Sequence, residues 1–149
     1  MLHILLVLHL VLFAFSFAFT AGLGILQTRV GKSGDARKIH DVFSAARPFS
    51  AAGGIGWIVT AVVGVGLAQT AGYDLTAPWL VWSYVLFVVL MIVGLGVHHP
   101  YQAKVIAASA NGMTPELQTL LKSPVAPLAG MVSALSVIAI VYLMTSQMG

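Results

Sequence analysis

A chain of 149 residues that is 59% hydrophobic and only 7% charged has no polar surface to show to water, since a soluble domain carries about 25% charged residues. With a mean hydropathy of +0.98 and the size of one domain, residues 1–149 read as a single integral membrane domain. The lack of cysteine excludes a disulfide framework, a thiolate nucleophile and an iron–sulfur centre; the net charge of +3 is no nucleic-acid signal, because the Lys and Arg residues fall in loops.

The first span covers about 2–26. It opens MLHILLVLHLVLFAFSFAF, too long and too apolar for a cleaved signal peptide and without Lys or Arg before the apolar run. Ala14, Ala18 and Gly22 form a small-residue stripe, and Ser16 and Thr20 are placed to bond back to their own helix. The loop 27–50 carries Arg29, Lys32, Arg37, Lys38 and Arg47. Within it Asp35 is placed to cap a helix. Ile39, Val42, Phe43 and Ala46 share one face, which predicts an amphipathic helix on the membrane surface, ended by Arg47-Pro48.

The second span, about 51–72, has no charged residue. Ala52, Gly56, Thr60, Gly64, Ala68 and Gly72 recur every four residues, and small residues in such a stripe let helix backbones approach closely in lipid. This helix is the expected centre of the bundle. Tyr73–Pro78 is a polar turn. The third span, about 78–98, begins with Trp79, Trp82 and Tyr84, rings suited to the headgroup layer. Asn111-Gly112 is a helix stop. Thr114-Pro115-Glu116 is a helix start, giving a short helix over 115–122. The fourth span, about 125–147, carries Ala126, Gly130 and Ala134 as its own small stripe.

All seven Lys and Arg residues lie in the first and third loops. Loops 27–50 and 99–124 are therefore expected in the cytoplasm, with both termini and the 73–78 turn outside. The fold class is an all-α, polytopic four-transmembrane-helix bundle with short interfacial helices in the two cytoplasmic loops, in a bacterial-type inner membrane.

His9 is the ionisable side chain, tyrosines aside, that stands clearly within a span, and such a residue faces protein or water and is a functional candidate by default. Two readings are open. It is an axial haem ligand or proton-transfer group, or a neutral imidazole bonded to a neighbour, with Tyr142 at a similar depth. Met144, with Met148, lies near the outer end of the fourth span, so His/Met ligation is geometrically allowed. His98, His99 and His40 are a candidate metal cluster at the cytoplasmic interface, although adjacent histidines on a helix diverge by about 100°. The spans contain no Asp, Glu, Lys or Arg, the groups a proton-coupled transporter normally needs in the membrane.

The layout resembles a group of small bacterial four-helix membrane proteins. These comprise predicted integral membrane protein families of unknown function, the CopD-like copper-resistance domain and the HemJ-type protoporphyrinogen oxidases. The resemblance rests on His3 or His9 early in the first span, Gly31-Lys32-Ser33-Gly34-Asp35, Gly64-Val65-Gly66-Leu67, and Trp79-Leu80 with Ser83. The HemJ-type resemblance implies haem b on a first-helix His, carried here by His9; Ser83 stands where that family has Lys.

Three functions follow as expectations. The first is a small accessory, assembly or helix-packing subunit without a catalytic site, using Ala52, Gly56, Thr60, Gly64, Ala68 and Gly130. The alternative is a b-type haem protein acting on porphyrin or quinone. The third is a copper or small-solute permease. Expected partners are the lipid bilayer and a membrane protein or second copy, with no nucleic acid.

Overall fold

The computed structural model describes residues 1–146; the expected end of the fourth span at Gln147, and Met148, lie outside them. The described residues form α1 (Leu2–Gly31), α2 (Ala36–Thr70), α3 (Pro78–Val93), a π-turn (Gly94–His98), α4 (His99–Ser109), α5 (Pro115–Lys122) and α6 (Val125–Thr145). Four stretches are long and apolar enough to cross a membrane: Leu2–Gly31, Ala36–Thr70, Pro78–Ser109 and Pro115–Thr145.

The element ends follow local chemistry. Asp35 Oδ1 accepts from Lys38 N at 3.1 Å, and Thr114 Oγ1 from Leu117 N at 3.2 Å. Each satisfies an amide that the first helical turn leaves without a partner. Gly34 and Gly112 have φ of +70° and +89°, a left-handed conformation that lets the chain reverse without a Cβ clash.

One expectation is corrected. The short interfacial helix expected in the first loop does not form as a separate element: residues 36–47 are the first part of α2, which continues through Pro48. Their apolar face is covered by protein, not lipid. Ile39, Phe43 and Ala46 are 0%, 2% and 3% exposed, and Ile39 and Phe43 form one core with Val105 and Ala108 of α4 and Leu117 of α5. The helix is continuous through Pro48, and the proline costs one internal bond.

At 35 residues, α2 is ~52 Å long, against a hydrocarbon layer of ~30 Å. It is therefore about 20 Å longer than that layer is thick. The Lys and Arg residues gather at one end, since all of them lie at 29–47, 104 or 122. This basic end is tightly cored, with Ile39, Val105 and Leu117 all at 0% exposure.

The membrane part is built differently. There α1 packs along α2 and α3 along α6. A smaller core of Trp57, Leu90 and Val137, flanked by Phe13, Phe87 and Met91, joins the two pairs. Phe13 meets Trp57 edge to face, with ring centroids 5.5 Å apart. Large apolar residues face outward on every long helix, among them Ile4, Val62, Ile92 and Ile138, each more than 60% exposed. Such continuous outward apolar surface is stable only against lipid or another apolar partner.

Candidate functional site

His9, Ser16, Thr20 and Thr60 lie along the line where α1 crosses α2. Ser16 is fully buried there. A Cβ on Gly56 would overlap Ser16 Oγ, and one on Gly53 would stand 3.2 Å from Phe19 Cβ and 3.3 Å from Thr20 Cγ2. The glycines therefore set how closely the two backbones approach. Ser16 Oγ itself donates to Leu12 O at 2.7 Å, and Thr20 Oγ1 to Ser16 O at 2.8 Å.

His9 stands at the end of this line nearest the N-terminus of α1. Its Nδ1 is 2.9 Å from the Thr60 carbonyl oxygen. A carbonyl only accepts, so Nδ1 carries a proton, and in the neutral ring Nε2 keeps its lone pair. The ring fits because residue 64 is glycine, for a Cβ there would lie 2.8 Å from His9 Cε1. Thr60 is buried and its hydroxyl donates to Gly56 O at 2.7 Å. Its main chain thus serves α1 while its side chain serves its own helix.

The other sequence candidates are placed as follows. His9 bonds Thr60, not Tyr142, which is 69% exposed. Met144 lies on α6, which packs along α3. Ala68 is buried and Ala52 half-buried. Gly130 faces outward, with nothing within 4 Å of an added Cβ. His40 Nδ1 is 3.1 Å from Ile106 O and 3.3 Å from Ser109 Oγ, at the C-terminal end of α4. His98 and His99 stand at the other end of α4, some eight residues or ~12 Å away along the axis. These three are not brought together, and no group of three His, Asp or Glu among the described residues is placed to hold a metal ion.

Two features escaped the sequence. Gly53 belongs to the contact line, because that line follows the 3.6-residue period through 53, 56, 60 and 64, whereas a strict four-residue stripe drifts about 40° per step. The polar trio Gln27, Ser50 and Gln102 meets where α1, α2 and α4 converge. Its signal is three uncharged polar residues at span ends. An apolar groove of about 260 Å³ also runs between α1 and α6, lined by Phe13, Phe17, Val137, Ile138 and Val141.

This arrangement can bind helices to one another through small residues and main-chain bonds, and in the neutral His9 ring it leaves Nε2 as a free acceptor. No curated protein and no solved structure matches the chain. The family described as "Predicted integral membrane protein (DUF2269)" matches residues 2–148, nearly the whole of the sequence, and the chain belongs to that family.

Proposed function

We propose that this protein is a non-catalytic membrane subunit, an accessory or assembly partner that works through helix packing. The observation that supports this reading is the use made of the polar groups along the spans. Ser16, Thr20, Thr60, Ser83 and Ser136 each bond a carbonyl four residues back in their own helix, and His9 bonds the Thr60 main chain. The hydroxyls are satisfied within their own helices, His9 joins α1 to α2, and the outward faces are apolar. Crosslinking in cells followed by native mass spectrometry tests the proposal. The expected result is a complex with another membrane protein or a second copy; a lipid-bound monomer in cells and in detergent alike contradicts it.

The distribution of Lys and Arg supports a bacterial-type inner membrane orientation with the basic end in the cytoplasm. The N-terminal end of α1, the C-terminal end of α6 and the turn at 73–77 are then outside.

A second reading has one observation in its favour. Histidines that ligate a metal usually donate the other ring N–H to a carbonyl or carboxylate. His9 does this toward Thr60, so its Nε2 has the electronic state of an axial ligand to haem b. His9 supplies one such atom. Under this reading haem would contribute one-electron chemistry, and His9 would hold it.

A further inference from the structure

Among the described residues three buried side-chain polar atoms have no hydrogen-bond partner: the Tyr84 hydroxyl near the start of α3, and two amide atoms that belong to one polar trio. Gln102 on α4 is 7% exposed. Its Nε2 donates to Gln27 Oε1 at 3.2 Å and to Ser50 Oγ at 3.1 Å. Among the described residues, the buried Gln27 Nε2 and Gln102 Oε1 have no hydrogen-bond partner within the protein.

Turning the amides over does not remove the mismatch. With both turned, Gln27 Nε2 donates to Gln102 Oε1, and the unpaired atoms become Gln102 Nε2 and Gln27 Oε1. With one turned, like atoms face each other. Every workable assignment leaves one amide N–H group and one amide carbonyl of this bonded glutamine pair unmet. Buried polar groups in native proteins are almost always hydrogen-bonded, so the pair calls for an occupant.

The backbone around this layer is irregular too. Pro48 lies two residues before Ser50 and has no N–H, so the Ser44 carbonyl receives no helical bond from it. The π-turn Gly94–His98 ends four residues before Gln102, and π-turns recur at functional sites. Pro48 inside α2 and the π-turn before α4 both fall within about one turn of the polar trio.

We propose that Gln27, Ser50 and Gln102 form a binding site for a hydroxyl-type oxygen. A single such oxygen accepts from the free amide N–H and donates to the free amide carbonyl. A phosphate or carboxylate oxygen would confront that carbonyl's lone pairs, and an ammonium would confront the N–H group. Two sources share the chemistry: water, and the alcohol of a glycerol-type lipid headgroup.

The test is side-chain amide NMR of the full chain, labelled with ¹⁵N at glutamine, in nanodiscs of phosphatidylglycerol and, separately, of phosphatidylcholine, which has no headgroup alcohol. The expected result is a through-space cross-peak from the Gln27 and Gln102 amide protons to the occupant. A peak to water, equal in both lipids, identifies water. A peak to headgroup protons in phosphatidylglycerol alone identifies the lipid alcohol. Contacts only to aliphatic protein protons overturn the proposal. Gln102→Met should abolish the Gln27 cross-peak, and Gln27→Met the Gln102 one. Persistence of either peak in a folded variant would overturn the two-sided site.

Discussion

His9 and Thr60 are joined across the α1–α2 crossing by a bond from the imidazole Nδ1 to a main-chain oxygen, 2.9 Å long. The acceptor is backbone, so the bond depends on the spacing of the two helices and not on the threonine side chain. That spacing is set by glycine, since a Cβ at residue 64 would stand 2.8 Å from His9 Cε1. Gly64→Ala should therefore push the ring off its bond and destabilise the protein by about 1–3 kcal/mol. Gly66→Ala, where a Cβ meets nothing within 4 Å, should be neutral or slightly stabilising, because alanine is the better helix former. Reversible unfolding in mixed micelles compares the two.

The same logic gives a rescue at Gly56. An added Cβ overlaps Ser16 Oγ but lies 3.5 Å from Ser16 Cβ, an ordinary contact. Gly56→Ala alone should destabilise by about 1–3 kcal/mol. Combined with Ser16→Ala it should recover most of that loss. A double-mutant cycle in unfolding free energy reads the coupling directly; simple additivity would mean that the two residues do not touch.

The basic end should dominate stability. Leu117 is 0% exposed and lies in the core formed with Ile39, Phe43 and Val105. Leu117→Ala should cost about 2–5 kcal/mol. Ile138, 63% exposed on α6, faces outward, and Ile138→Ala should change stability by about 0.5 kcal/mol or less. Equal losses at the two sites, measured in bilayers, would contradict this division of the fold.

A pH effect is expected at the turn between α2 and α3. Asp74 Oδ1 accepts from Thr76 Oγ1 at 2.7 Å and Thr76 N at 2.8 Å. The Thr76 hydroxyl, then its amide, hold the Asp74 carboxyl below its ordinary 3.8. A lowered folded-state value means that the turn's contribution is present above the unfolded pKa and is lost as pH falls through the folded one. Thr76→Val should return the Asp74 titration toward its ordinary value, read from the carboxyl carbon by NMR.

These features differ in how legible they are in the sequence. The spans, the Asp35 and Thr114 caps and the short 115–122 helix are written locally, in unbroken apolar runs and in residues that complete a first turn. The fate of Ile39 and Phe43 is not. Their face looks the same whether lipid or protein covers it, and the cover comes from Val105 and Leu117, more than 60 residues away in the chain. His9 was visible as a lone imidazole in an apolar run. Its partner was not, because it is a main-chain oxygen, which any residue at position 60 would provide. The Gln27–Gln102 pairing, 75 residues apart, has no periodic signal at all.

The central claim is that His9 is a packing residue whose bond to Thr60 is its whole role. The most direct measurement is a visible absorption spectrum of the purified full-length protein, expressed with haem supplied, oxidised and dithionite-reduced, beside His9→Ala. The account predicts no Soret band in either protein. A Soret band in the wild type that is lost in His9→Ala would contradict it and make His9 a haem ligand.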